Sequence, residues 1–202
     1  MKRLIVALCA LSFVATSWLT AAELSTEELN RANEHLKKTS AAFLAATDGL
    51  SSEQWNFKPA PDRWSVAQVA EHIAATEDAL FAMIQSQVMK APARTEPVNV
   101  KEIDDFILQA IPDRSAKRQA PEPLRPTARF GSGTESVNHF KQSRAKTLAF
   151  LSETKDLRDH ATDSPLERKL DAYQWLLFIS AHCERHTKQI NEVKADPNFP
   201  KA

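Results

Sequence analysis

Three segments of this chain, each followed by a long helical repeat, place a Ser or Asp three residues before a Glu or Gln, with a large apolar residue on either side of the pair. The segments are Leu24-Ser25 to Glu28-Leu29, Trp64-Ser65 to Gln68-Val69, and Leu170-Asp171 to Gln174-Trp175. Each has the form of a reciprocal capping box closed by a hydrophobic staple, which satisfies backbone amides that a helix start otherwise leaves unpaired. The residues that follow each box repeat at intervals of three and four. Leu29, Ala32, Leu36, Phe43 and Leu44 line a first helix that stops at Asp48-Gly49, and Val69, Ile73, Thr76, Leu80 and Met83 line a second that runs to about Met89. The third box opens a helix reaching about Ala195. Thr134 is the expected N-cap of one more, extending to about Glu153 with Val137, Phe140, Leu148 and Leu151 inward. With only three glycines and almost no alternating Val/Ile/Tyr runs, the expected fold class is all-α, a four-helix bundle.

The connections are also legible. A loop from Leu50 to Trp64 carries Trp55, Phe57, Pro59 and Pro61. Pro92 and Pro97 break the chain after the second helix, a short helix is expected from Val100 to Ile111, and Pro121, Pro123 and Pro126 impose an extended crossing. This makes a long proline-rich connection between the second and third long helices. Another polar loop contains Pro165. No internal repeat or second domain is evident.

The chain begins Met1-Lys2-Arg3, continues apolar from Leu4 to Leu19, and reaches Thr20-Ala21-Ala22 before Glu23. A positive start, a short apolar core and small residues at the end are the three parts of a secretory signal peptide, so residues 1–22 are expected to be a signal and 23–202 the domain. The competing reading is an uncleaved N-terminal anchor. Cys9 follows bulky Leu8 early in the apolar run and is not read as a lipid-attachment cysteine. Secretion, in all expectation to the periplasm, would remove Lys2 and Arg3 and no acid, leaving 24 basic against 26 acidic residues, a net charge of −2. Nothing in that balance implies nucleic acid or an acidic membrane surface as partner. Cys183 would be the one remaining thiol, which excludes an intramolecular disulfide.

On the last helix, steps of 100° place Trp175, Ile179, His182, His186, Gln189 and Val193 within about 60° of one line. Two imidazoles one turn apart on that seam can reach a single ion. Cys183 stands where the zinc-protease pattern H-E-x-x-H has its glutamate, so that chemistry is disfavoured, and Glu184 points to the opposite face. The pair by itself is a weak signal, and two hydrogen-bonded core histidines are its first reading. His72 adds weight: it lies on the inward side of the second helix, one turn after Gln68 and one before Thr76. Three inward histidines are costly to bury alone, whereas one dication satisfies them together. The expected cofactor is one divalent metal ion, Zn or Ni by ligand type, with a coordination position left open for water or substrate.

Thr76, Gln189 and Arg144 are candidate lining residues; Arg144 sits on the inward face of the third helix, where a structural ion pair is the first reading. Cys183 is expected to flank the seam without ligating. Trp55 and Trp64 are expected to pack, and His35, His139 and His160 to be solvated. No general base is identified.

The run Leu50-Ser51-Ser52-Glu53-Gln54-Trp55-Asn56-Phe57-Lys58-Pro59-Ala60-Pro61, the following Arg63-Trp64-Ser65-Val66, His72, and the closing His182-x-x-x-His186-x-x-Gln189-Ile190 together resemble the DinB-like (YfiT-type) metalloenzyme family. The resemblance covers nearly the whole chain after residue 22. It implies an up-down-down-up bundle, a metal triad at His72, His182 and His186, nickel or zinc as the metal, frequent dimerisation, and activities among thiol-dependent transferases, isomerases and hydrolases. Export weighs against thiol transfer, because the small thiols that such transferases use are chiefly cytosolic. Two function classes stand: a metal-dependent hydrolase or transferase activating water or a thiol towards a small molecule, and a non-catalytic metal- or haem-binding bundle.

Overall fold

The computed structural model describes residues 23–201, and the expected signal segment at 1–22 lies outside the described residues. Four long helices set the architecture: α1 (Thr26–Thr47), α3 (Val66–Ser86), α5 (Gly133–Glu153) and α6 (Ala172–Lys194). A short helix, α2 (Ser52–Asn56), lies in the loop before α3, and α4 (Val100–Ala110) lies in the connection between α3 and α5. The three boxes read from the sequence all form, at Ser25, Ser65 and Asp171.

Two further boxes form, and both correct expectations. α5 is capped by Ser132, not Thr134: the Ser132 amide donates to Glu135 at 2.7 Å and the Glu135 amide donates back to Ser132 Oγ at 3.2 Å. Glycine is a poor helix residue, but Gly133 opens α5 against the Trp55 indole, where a Cβ would come within 2.3 Å of the ring. The other box, Ser51 with Gln54, starts α2 in what was expected to be loop. The segment around Pro165 also departs from a plain loop, because β1 (Ala161–Asp163) and β2 (Lys169–Asp171) pair antiparallel and deliver Asp171 to its capping position.

Contacts between the long helices keep a consistent order. Along α1 and α6, Tyr173 Oη donates to the Glu28 carbonyl, Thr39 meets Ser180, and Lys194 donates to the Ala46 carbonyl. Along α3 and α5, Asp78 meets Ser143 and Phe81 meets Phe150. The start of α3, by contrast, shares an apolar cluster with the end of α6, through Val69, Ala70, Ile190 and Val193. The other cluster joins Ile84 and Val88 to Tyr173 and Leu177. Phe43 and Phe140 meet edge to face in the first of these clusters, their centroids 4.8 Å apart. Burying side chains of this size drives the assembly, at roughly 25 cal/mol for each Å² of apolar surface removed from water.

A polar layer crosses the interior. Arg144 Nε and Nη2 donate to the two Glu77 oxygens at 2.6 and 2.7 Å, its Nη1 donates to the Leu36 carbonyl and to Thr39, and Thr147 donates to Glu77. Both charged groups are almost fully buried. A bidentate pair with its remaining donors also satisfied is the arrangement in which a buried guanidinium is tolerated.

Candidate metal centre

His72 comes from the second turn of α3, and His182 and His186 are successive on one face of α6. One ring nitrogen of each lies within 4.8 Å of the others, so the three histidines could hold a metal ion. Ring centroids are 4.5 Å apart for His72 and His186, 5.1 Å for His72 and His182, and 4.3 Å for His182 and His186. Imidazoles bound tetrahedrally to one ion at Zn–N distances of about 2.0 Å have centroids about 5 Å apart, so the spacing fits with little movement. Two imidazoles bound on opposite faces of one haem stand further apart than this, so the spacing favours a single ion over the haem alternative.

Hydrogen bonding favours the same use. His72 Nδ1 lies 2.8 Å from the Leu124 carbonyl oxygen, which can only accept, so Nδ1 carries the proton and Nε2 the free lone pair. His186 Nδ1 is likewise 2.8 Å from Gln189 Oε1. An outer N–H fixed on an oxygen acceptor is what orients a metal-ligating imidazole. Burial, with a further contribution from neighbouring charge, pushes the His186 ring down to about 3. Burial and then the other two histidines hold His182 well below its ordinary value, and burial lowers His72 despite its bond to Leu124. All three are therefore neutral at neutral pH and have lone pairs to offer. Trp64 closes one side, its ring centroid 5.0 Å from that of His72, while His182 remains partly exposed.

The proline-rich connection supplies one orienting group, the Leu124 carbonyl, and braces the other, Gln189 of α6. Its crossing is anchored by buried Glu71, whose carboxylate accepts the Thr127, Ala128 and Arg129 amides at 2.7, 2.8 and 3.1 Å. Burial pushes the Glu71 carboxyl up, but these amides and Arg129 outweigh it and hold it below the ordinary range. The tight turn that presents the amides places Ala128 at φ 61, a left-handed conformation made tenable by those bonds. Leu124, three residues before Thr127, is thereby set over His72. Earlier in the connection, Arg114 donates to Glu192 at 2.5 and 2.7 Å and reaches Gln189 Oε1 at 3.5 Å. Arg185 pins the same loop through the carbonyls of Ile111, Asp113 and Ala116.

Of the candidate lining residues, Gln189 bonds a site histidine directly, and Thr76 is buried on the His72 face of α3. Arg144, the third candidate, forms the structural ion pair of its first reading: Glu77, Thr39 and the Leu36 carbonyl engage its guanidinium in the interior layer. Cys183 is buried, its thiol pushed up to about 11 by burial, and it lies outside the histidine cluster. The other three histidines are less solvated than expected. His139 binds Asp78 at 2.5 Å and stacks on Phe130, while His35 and His160 are partly buried with Nδ1 unpaired among the described residues. The sequence reading missed Glu71, Arg114 and the Leu124 carbonyl. Glu71 was findable, as a carboxylate inside an unbroken inward run, but a backbone carbonyl has no side-chain signature.

Residues 35–190 match the DinB superfamily. The uncharacterized protein YuaE of Bacillus subtilis (strain 168) is 31% identical over 147 residues, which are 72% of this chain and 86% of that protein. Among solved structures, Bacillus subtilis YfiT, described as a probable metal-dependent hydrolase with an unusual four-helix bundle topology, aligns with a TM-score of 0.54 over 90% of this chain and 94% of its own. At 14% identity that likeness speaks for the fold alone. The family match spans most of the described residues and contains all three histidines, and with the YuaE relationship it establishes that this chain belongs to the DinB superfamily.

Proposed function

We propose that the protein is a mononuclear metalloenzyme, a metal-dependent hydrolase acting on a small molecule, with His72, His182 and His186 as its protein ligands. One observation carries this reading: three neutral imidazoles converge from two helices, two of them with Nδ1 fixed on an oxygen acceptor so that Nε2 is left to ligate. The description of the YfiT neighbour lends support to the hydrolytic class. An up-down-down-up course, with the proline-rich connection crossing between the second and third long helices, accounts for the helix contacts and for how that connection reaches the site.

A dication held by three neutral ligands keeps its charge and at least one open position, and such an ion makes water, or a thiol, nucleophilic near neutral pH. The chain's own residues do the rest. Leu124 and Gln189 hold two rings in the ligating orientation, Trp64 excludes solvent from one side of His72, and partly exposed His182 marks the side of entry. Zinc or nickel suits imidazole ligands better than magnesium or calcium. The signal-like residues 1–22 favour work outside the cytoplasm, which in turn favours water over a thiol as nucleophile.

The test is metal content by mass spectrometry on untagged protein purified without chelator, beside the His182→Ala variant. About one zinc or nickel per chain, lost in the variant, is the expected result. An empty wild type that also fails to load either ion in vitro would overturn the reading.

A further inference from the structure

Threonines inside helices usually return their hydroxyl to the carbonyl one turn back. In this protein Thr39, Thr47, Thr147 and Thr187 all do so, bonding the carbonyls of His35, Phe43, Ser143 and Cys183. They account for every threonine beyond the first turn of a described helix except Thr76. Thr76 is 4% exposed, and its Oγ1 has no hydrogen-bond partner among the described residues. A buried hydroxyl without a partner is unfavourable, and valine would occupy the same space without that penalty. The hydroxyl is therefore best explained by a partner outside the polypeptide.

Its position indicates which partner. Thr76 is four residues after His72, hence one turn further on the same face of α3. Because the start of α3 packs with the end of α6, that turn leads from His186 and His182 towards the earlier residues of α6. Trp64 borders His72 on its other side, nearer the start of α3. The orphan hydroxyl is thus placed on the inward face of α3, one turn along from the histidine cluster.

We infer that Thr76 is a binding residue of the centre, its hydroxyl hydrogen-bonding the water molecule or small anion that enters the coordination position the three histidines leave open. This inference rests on the metal reading above. It gives the site a directional contact on the bound species that the neutral imidazoles cannot supply, and it favours ligands with a compact hydrogen-bond acceptor next to the coordinating atom.

The experiment uses the full-length protein loaded with cobalt(II), together with Thr76→Val and Thr76→Ser, and titrates azide while following the visible absorption of the cobalt. Wild type and Thr76→Ser are expected to bind azide with similar affinity, and Thr76→Val about ten-fold more weakly, the equivalent of one lost hydrogen bond. Cobalt binding with equal azide affinity in wild type and Thr76→Val would overturn the inference and leave the metal reading standing. Loss of cobalt by Thr76→Val but not by Thr76→Ser would also overturn it, since the hydroxyl would then act on the ion itself. Failure of the wild type to bind cobalt would sink both readings.

Discussion

Two buried polar clusters lie towards opposite ends of α6, and they are satisfied in opposite ways. Near its start, Arg158 gathers Glu28, Asp104 and Asp171 at 2.7, 2.7 and 3.1 Å, lies over the Tyr173 ring, and is joined by Gln174, which donates to Asp104. Its charges are answered from within the polypeptide. Further along, His72, His182 and His186 face one another as neutral acceptors, with the unpaired Thr76 hydroxyl on the neighbouring turn. The first cluster pairs its charges within the polypeptide and so holds the fold together, although Arg158 Nε and the Arg94 terminal nitrogens have no hydrogen-bond partner among the described residues. The second becomes complete only when a cation and its own ligand are added, which is the physical mark of a site.

The sharpest way to break this comparison is to remove one partner from each cluster. Arg158→Met leaves Asp104 buried without its cation and Asp171 with only Arg94 at 3.6 Å, and stability in urea should fall by about 3–5 kcal/mol. The fraction that stays folded should keep its metal stoichiometry. A loss below about 1 kcal/mol would mean that the carboxylates find water or other partners, and the cluster would not be the structural one.

His186→Ala should behave in the reverse manner. Without metal, deleting a neutral ring from a partly open cluster leaves the denaturation midpoint close to that of wild type. Adding zinc at 100 times its Kd should stabilise wild type by about 2.7 kcal/mol and the variant not at all. Equal zinc responses in a thermal melt would show that the ion binds elsewhere, Asp156, Asp159 and His160 being the other cluster with ligand spacing among the described residues.

These two clusters also differ in how well the sequence foretold them. The histidines were legible because spacing on a helix is spacing in space: four residues on α6 and an inward position on α3 suffice to bring three rings together. The caps at Ser25, Ser65 and Asp171 were legible for the same reason, being local patterns with local causes. Ser132 was overlooked because it stands between Gly131 and Gly133, which read as loop. Only the indole of Trp55, distant in sequence, shows why a helix can begin on that second glycine. Arg158 and its carboxylates come from four separate segments, and no periodicity connects Glu28 with Asp104. Leu124 contributes a carbonyl, a group every residue has, so only the path of the crossing reveals its role. Local physics thus yielded the elements and the ligands, while long-range polar contacts had to be seen.

A smaller effect tests whether the outer hydrogen bond within α6 orients a site ring. Gln189→Leu removes the acceptor for His186 Nδ1 and should lower zinc affinity by about 10- to 100-fold, while metal-free stability changes by less than about 1 kcal/mol. Competition with a chromophoric chelator measures the first and urea denaturation the second. An unchanged zinc affinity would mean that packing alone fixes the His186 ring.

The smallest expected effect distinguishes the two clusters by acid. Burial pushes the Glu28 carboxyl up, but hydrogen bonds from Arg158 and Ser25 outweigh it, so the folded value lies below the ordinary 4.5. The folded state therefore holds fewer protons than the unfolded state in that window, and the stability Glu28 contributes is fully present above about pH 4.5. It is lost as the pH falls through the lowered folded value. Glu28→Gln should flatten this part of the acid limb without moving zinc affinity at pH 7, because the residue belongs to the Arg158 cluster and not to the histidines. An acid limb of unchanged slope in Glu28→Gln would assign the loss of stability to other carboxylates, with the Glu71 clamp over the crossing the next to examine.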